Sequence, residues 1–413
     1  MKFKKLNLKN SNKFFSKAKR YHPGGVLGIR RPYNFVEGEY PIYFKEAKGV
    51  KVIDVDGNKF IDMLCSYGPI IIGHREPFID NKVINQIKEK GFCFSLTQPK
   101  HNEISLELKS LIPSCEMSIL VKTGSDATSA AIRAARCFTK KNKILRCGYH
   151  GWHDWCAEVQ GGIPKNLIKD IIEFKYNEID TVKKILKEEK KDIAAIITTP
   201  ISHPLGKKVE MPKKGFLEEL RHVCTKNGIV LIFDEIRSGF RVDLGGAQKL
   251  FGVKPDLSTF GKAMANGYEI AALVGKKEIM SVYKKEAFIS STYFENSLPI
   301  IATLETIKFL KRHNVIQDIK KKGRYFEKKI LNIIENYSDI CEFSGAPWMP
   351  YITFKKDSEN KYKVKRKLFF TNLIRSGVFC QPFHHSYIAY RHSYKDLDYV
   401  ADSIEDSLKK IKI

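Results

Sequence analysis

Acidic side chains are in short supply in this 413-residue chain: 46 Asp and Glu stand against 72 Lys and Arg, a formal net charge of +26. Such a surplus suits a nucleic-acid binder, but here the lysines run along the whole length. They form short clusters such as Lys190-Lys191, Lys320–Lys322 and Lys363–Lys367. No nucleic-acid recognition motif or aromatic-basic platform accompanies them. The surplus therefore reads as solvated helix faces, with attraction of acidic small molecules as the milder functional alternative. Long apolar runs are missing too, and nothing approaches the ~18 residues a membrane helix needs. The basic start lacks the hydrophobic core and small-residue cleavage site of a secretory signal. Nine cysteines without a CxxC pair or regular spacing point to unpaired thiols in a reducing, cytoplasmic compartment.

What the chain does have is concentrated between residues 229 and 262. Ile229–Phe233 is an apolar, mostly β-branched run bounded by Gly228 and Asp234, the pattern of a buried parallel strand. Asp234 then falls at the carboxyl end, where open α/β sheets place their ligands. A Gly261-Lys262 pair follows a second short apolar stretch. A strand-end carboxylate and a loop lysine are what pyridoxal phosphate requires. The carboxylate keeps the pyridine nitrogen protonated, and the lysine binds the cofactor covalently.

Three further segments weigh against a solvated loop lysine. Ser118–Lys122 reads as a strand, Thr123–Thr128 as a small-residue turn, and Ser129–Arg136 as a helix. That order points free N–H groups at an anion, with Gly124 allowing close approach and Ser125 adding a hydroxyl. The alternative is an ordinary helix cap on Ser125 or Asp126. Gly148–Trp155 is the densest aromatic and histidine cluster, in which Tyr149 could stack on a planar ring with His150 beside it. A metal site there lacks the matching cysteines or carboxylates, so no metal is expected. Finally, Ile289–Ser297 is hydroxyl-rich and precedes a helical pattern over Pro299–Leu310, either as an anion ligand or as a cap.

In this order and spacing the segments resemble the class III pyridoxal-phosphate aminotransferases, in the branch of glutamate-1-semialdehyde 2,1-aminomutase. The resemblance spans nearly the whole chain, from Tyr21–Val26 through Val55–Asn58, Ser66–Pro69, Thr123–Ala127, Tyr149–Gly151, Asp234-Glu235 and Gly239–Arg241 to Gly261-Lys262. It implies pyridoxal 5'-phosphate as cofactor and Lys262 as the covalent lysine. Asp234 would partner the ring nitrogen, Tyr149 and His150 the ring, and Gly124 and Ser125 the phosphate. Thr292 would reach the phosphate of a neighbouring subunit, which implies a homodimer with shared sites. Arg31 falls at the family's substrate-carboxylate arginine, with Arg30 adjacent.

The departures from the aminomutase pattern cluster in the substrate machinery. Tyr67 stands for a tryptophan, His384 for a glutamate, and the long gating loop is reduced to Val159–Lys165. A lid that retains an intermediate is thereby lost. The expected activity is ping-pong amino transfer from an amino-acid donor, glutamate, to a small carbonyl acceptor through pyridoxamine phosphate. The acceptor leaning is a biosynthetic carbonyl compound such as an amino-sugar precursor. Intramolecular aminomutase action is the runner-up, followed by a racemase or a non-catalytic interaction protein on the same fold. Arg31, Tyr67 and His384 are the candidate substrate contacts.

The fold expected is α/β, fold type I of the pyridoxal-phosphate transferases. A large domain with a mostly parallel sheet (76–305) would accompany a smaller α+β domain built from both termini (1–75 and 306–413). Alternating strand and helix periods support the first, and short strands such as Met349–Phe354 with the amphipathic Leu397–Ile411 support the second.

Overall fold

The computed structural model describes residues 3–189 and 192–411, so Lys190 and Lys191 of the basic clusters lie outside the described residues. It divides into two compact units, residues 1–76 with 203–209 and 317–413, and residues 77–202 with 210–316.

The larger unit is built on a seven-stranded sheet. Its strands are β1 (Met117–Val121), β2 (Lys143–Cys147), β3 (Ile171–Glu173), β4 (Ile193–Thr198), β5 (Val230–Asp234), β6 (Leu257–Phe260) and β7 (Ala271–Gly275). The spatial order is β1-β7-β6-β5-β4-β2-β3. All neighbours are parallel except β7, which is antiparallel to both β1 and β6. Two reversals in succession leave β1 running in the same direction as β6. The carboxyl ends of β1, β2, β4, β5 and β6 therefore share one edge of the sheet, the edge at which ligands bind in such folds. Every residue of β4, β5, β6 and β7 is buried, which explains the apolar runs of β4, β5 and β7.

The helix after β1 begins at Gly124, earlier than the pattern Ser129–Arg136 suggested, and runs to Thr139. The reason is a capping box. Thr123 Oγ1 accepts from Asp126 N (3.2 Å), and the Asp126 carboxylate accepts from Thr123 N (2.8 Å). The supposed turn is thus the first helical turn. Ala127, Ala130, Ala131, Ala134 and Ala135 are buried on its inner face, and small side chains let the helix approach the sheet closely.

In the smaller unit, strands Phe44–Lys48, Lys51–Asp54 and Lys59–Asp62 form an antiparallel meander, with Val378–Phe379 added parallel at its edge. The Asp-Gly-Asn turn forms because the Asp54 carboxylate accepts from Asp56 N, Asn58 N and Asn58 Nδ2. A hairpin of Cys341–Ala346 and Met349–Phe354 and helices Lys361–Arg375 and Tyr394–Lys409 complete it.

His392 gives this unit an acid-sensitive point. It is fully buried, and its Nδ1 accepts from Ala389 N (2.9 Å), so its proton sits on Nε2. Burial pushes its pKa from 6.5 down to about 4. The folded chain keeps it neutral where the unfolded chain would protonate it. Stability is therefore fully present above about pH 6.5 and falls towards pH 4, by about 1.4 kcal/mol per pH unit from this group. His392→Asn, whose Oδ1 can take the Ala389 N–H, should flatten the loss of stability between pH 7 and 5 in urea titrations. Equal slopes for the two proteins would remove His392 as the cause.

Candidate active site

Asp234 ends β5 with 4 % of its surface exposed. One carboxylate oxygen pairs with His150 Nδ1 at 2.8 Å, and the other accepts from Ile236 N (3.1 Å) and Thr259 Oγ1 (3.3 Å). The rotamer is thereby fixed from three sides. His150 follows β2, is buried, and is held through its own carbonyl, which accepts from Thr128 Oγ1 at 2.6 Å. Nε2 of His150 is buried with no hydrogen-bond partner among the described residues. A buried ring nitrogen left in that state costs free energy unless a ligand atom completes it.

Lys262 sits two residues beyond β6, after Gly261, in the left-handed region (φ 45°). A lysine there carries backbone strain of about 1–3 kcal/mol, which persists only where the surroundings impose it. The residue keeps partial exposure, yet enough protein surrounds its amine that burial pushes its pKa well below 10.5. Arg237 and Arg241 push the same way, and Asp234 opposes them. Arg237 also lies over the Tyr149 ring, 5.8 Å from its centroid. Arg241 closes the Gly239–Arg241 segment of the family resemblance, whereas Arg237 does not stand out in the sequence, where it is one of 72 basic residues. Their placement depends on the turn after Asp234, in which Phe240 takes φ 59° and the buried Glu235 carboxylate accepts from Ala247 N (2.7 Å) and Gln248 N (2.8 Å).

Gly124 and Ser125 form the first turn of the Gly124–Thr139 helix. Thr123 is the cap, so neither alternative considered for Ser125 and Asp126 as sole cap holds. The Ser125 hydroxyl accepts from Trp152 N (3.4 Å), and a Cβ on Gly151 would lie 2.5 Å from Ser125 Oγ. Gly151 therefore has to be glycine for the His150 loop to reach the helix start. The larger unit thus gathers Gly124, Ser125, His150, Asp234 and Lys262 at one sheet edge, with Tyr149 joined through Arg237. Thr292 lies on an exposed stretch, and it is Asn296, not a hydroxyl, that caps the following helix Ser297–Arg312.

The candidate substrate residues lie in the smaller unit. Tyr67 meets His384 edge-on at 5.2 Å, and the guanidinium of Arg30 lies 5.8 Å from the Tyr67 ring centroid. Burial pushes the Tyr67 pKa up to about 12, with Arg30 pulling against it. Arg31 instead donates to Tyr33 Oη (3.3 Å). Tyr67 belongs to a run of three non-glycine residues at positive φ, with Cys65 at 48°, Ser66 at 55° and Tyr67 at 68°. Such strain gathers at ligand sites. His384 stacks on His385 at 4.3 Å, and His385 on His203 at 5.6 Å, so the histidines form a buried column.

The chain is 58% identical over 408 residues, 99% of each chain, to the 3-aminobutyryl-CoA aminotransferase of Cloacimonas acidaminovorans (strain Evry). It is 33% identical to the glutamate-1-semialdehyde 2,1-aminomutase 2 of Lachnoclostridium phytofermentans, over 97% of this chain and 99% of that one. The fold matches the FumI protein of Sphingopyxis sp. MTA144 with a TM-score of 0.91 at 24% identity, covering 97% and 96% of the two chains. The class III aminotransferase family model matches residues 33–411, and the chain belongs to that family.

Proposed function

We propose that this aminotransferase exchanges an amino group between a CoA thioester of a 3-amino acid and a 2-oxo acid, with pyridoxal 5'-phosphate as cofactor and glutamate as the second amine. The 58% identity over 99% of both chains to a 3-aminobutyryl-CoA aminotransferase carries this reading. It replaces the amino-sugar leaning drawn from sequence.

The residues present fit the cofactor. Asp234 offers a braced, buried carboxylate to a protonated ring nitrogen, and the unpartnered Nε2 of His150 faces a polar atom still to be supplied. The Gly124–Thr139 helix start suits a phosphate through its dipole and free N–H groups. When bound, pyridoxal phosphate supplies the electron sink that lets a carbon next to nitrogen release its proton. Lys262 brings an amine that burial and Arg237 hold towards its neutral form, as covalent capture of an aldehyde and proton transfer at the substrate carbon both need. Tyr149, steadied by Arg237, is suited to cover a ring face. Tyr67, His384 and Arg30 or Arg31 are the substrate-contact candidates.

We read the assembly as a homodimer in which Thr292 serves the neighbouring site. The exposure of Thr292 between Phe288 (76 %) and Tyr293 (60 %) supports this. A cytoplasmic location is the matching proposal, supported by nine cysteines with no disulfide between them among the described residues.

Glutamate should bleach the visible absorbance of cofactor-loaded protein, and 3-oxobutyryl-CoA should then restore it. The aminomutase alternative predicts steady turnover of glutamate 1-semialdehyde with no second substrate. Observing that turnover, together with no response to the thioester, would overturn the reading.

A further inference from the structure

We propose that the cleft along the outer face of the Gly124–Thr139 helix holds the phosphoadenosine end of the CoA thioester. The inference rests on the thioester reading above. That substrate carries a diphosphate and a ribose phosphate, so its far end demands several cations and a surface for a purine, well away from the reacting carbon.

A cleft of about 760 Å³ runs beside this helix, and Arg133, Arg136, Lys140, Lys141, His153 and Trp155 line it. Ser129, Arg133 and His153 also line a second cleft that includes Asp126 and Thr292. The two clefts share these three side chains along the outer face of the helix whose first turn carries Ser125. At about 1.5 Å per residue, Arg133 stands about 12 Å along the axis from Ser125 and Lys140 about 22 Å. An extended pantetheine arm covers a distance of that order.

The charge in the cleft is open to a ligand. Arg133 is exposed and donates to a neutral carbonyl, that of Phe288, so its positive charge is not neutralised. Lys141 has no ion-pair partner among the described residues. Opposing groups are few. Lys140 pairs with the exposed Glu286 (2.6 Å), Arg136 donates to Asn142 O with Asp170 and Asp192 near it, and Asp154 lies in the lining. An exposed pair such as Lys140–Glu286 contributes little and exchanges readily for a phosphate.

Trp155 provides the aromatic surface. Its Nε1 donates to Ser129 Oγ (2.8 Å), which also meets His153 Nδ1 (2.7 Å), so the indole is fixed. Its ring is parallel to that of His150, 6.4 Å away and inclined 9°. The same indole therefore neighbours the Asp234–His150 pair and borders the cleft. Rigid aromatics of this kind stack bases.

The test compares 3-aminobutyryl-CoA with 3-aminobutyryl-N-acetylcysteamine, which keeps the thioester and lacks the phosphoadenosine. The proteins are the wild type and Arg133→Gln/Lys141→Glu, both cofactor-loaded. The wild type should prefer the CoA ester by at least about ten-fold in kcat/KM, and added salt should erode that preference. The double variant should raise KM for the CoA ester by about ten-fold or more, with kcat, the short thioester and the glutamate half-reaction unchanged. A wild type that uses both thioesters equally, or a variant that loses both alike, would overturn the cleft. Failure of the wild type on both thioesters would instead sink the substrate reading of the preceding section.

Discussion

Lys262→Ala is expected to lower amino transfer by at least about 10³-fold in kcat and to leave cofactor that gel filtration strips from the protein. Alanine cannot bond to the aldehyde carbon, nor move a proton at the substrate carbon, so two roles disappear together. The fold should survive, because alanine keeps the same Cβ at φ 45° and so adds no backbone strain. Circular dichroism and the unfolding midpoint should stay near those of the wild type, and a variant retaining a tenth of the activity would dismiss Lys262 from the reaction. The electrostatics make a companion prediction. Covalent capture needs the neutral amine, so its rate in cofactor-free protein should rise with pH through the lysine's lowered pKa. Arg237 contributes to that lowering by repelling the protonated form. Arg237→Gln should therefore move the rise to higher pH, and an unmoved profile would leave burial and Arg241 as the causes.

Much of this site was legible because each piece is local in sequence. The Val230–Asp234 strand announces itself by the five apolar residues Ile229–Phe233 ahead of a carboxylate, and Gly261-Lys262 by its place after the next strand. The legible pieces end where a contact spans the chain. His150 and Asp234 are 84 residues apart, and only the parallel arrangement of β2, β4 and β5 brings their ends together. The helix start was misplaced because small polar residues favour turns and caps alike, and only the reciprocal Thr123–Asp126 bonding decides between them. Arg237 was hidden among many basic residues, since its importance comes from the turn that buries it, and Arg241 was legible only through the Gly239–Arg241 resemblance. Residues 65–67 go further and contradict local preference. Nothing in Cys-Ser-Tyr asks for three positive φ angles, so the surrounding unit imposes them. Tyr67 and His384 meet for the same non-local reason, 317 residues apart in sequence and edge-on in space.

Asp234→Asn separates charge from shape at the same edge. Asparagine is the same size, and its carbonyl oxygen can still accept from Ile236 N and Thr259 Oγ1. Its amide nitrogen would face His150 Nδ1, which must then accept where it now meets a carboxylate oxygen. The turn after β5 therefore stays in place and the negative charge goes. That charge is what holds a proton on a ring nitrogen set against it, so the loss should fall on the chemical step. The expected result is a drop of about 10²–10⁴-fold in kcat with little change in KM for the thioester. A merely structural Asp234 would instead lower the unfolding midpoint and leave surviving molecules with normal kcat. A cofactor analogue methylated at the ring nitrogen carries a fixed positive charge and should restore part of the loss in the variant. His150→Asn should cost activity in the wild type and much less on top of Asp234→Asn, because it acts by positioning that carboxylate. If kcat of Asp234→Asn stays within about three-fold of the wild type, or the two substitutions add in full, Asp234 is not the group that governs the ring nitrogen.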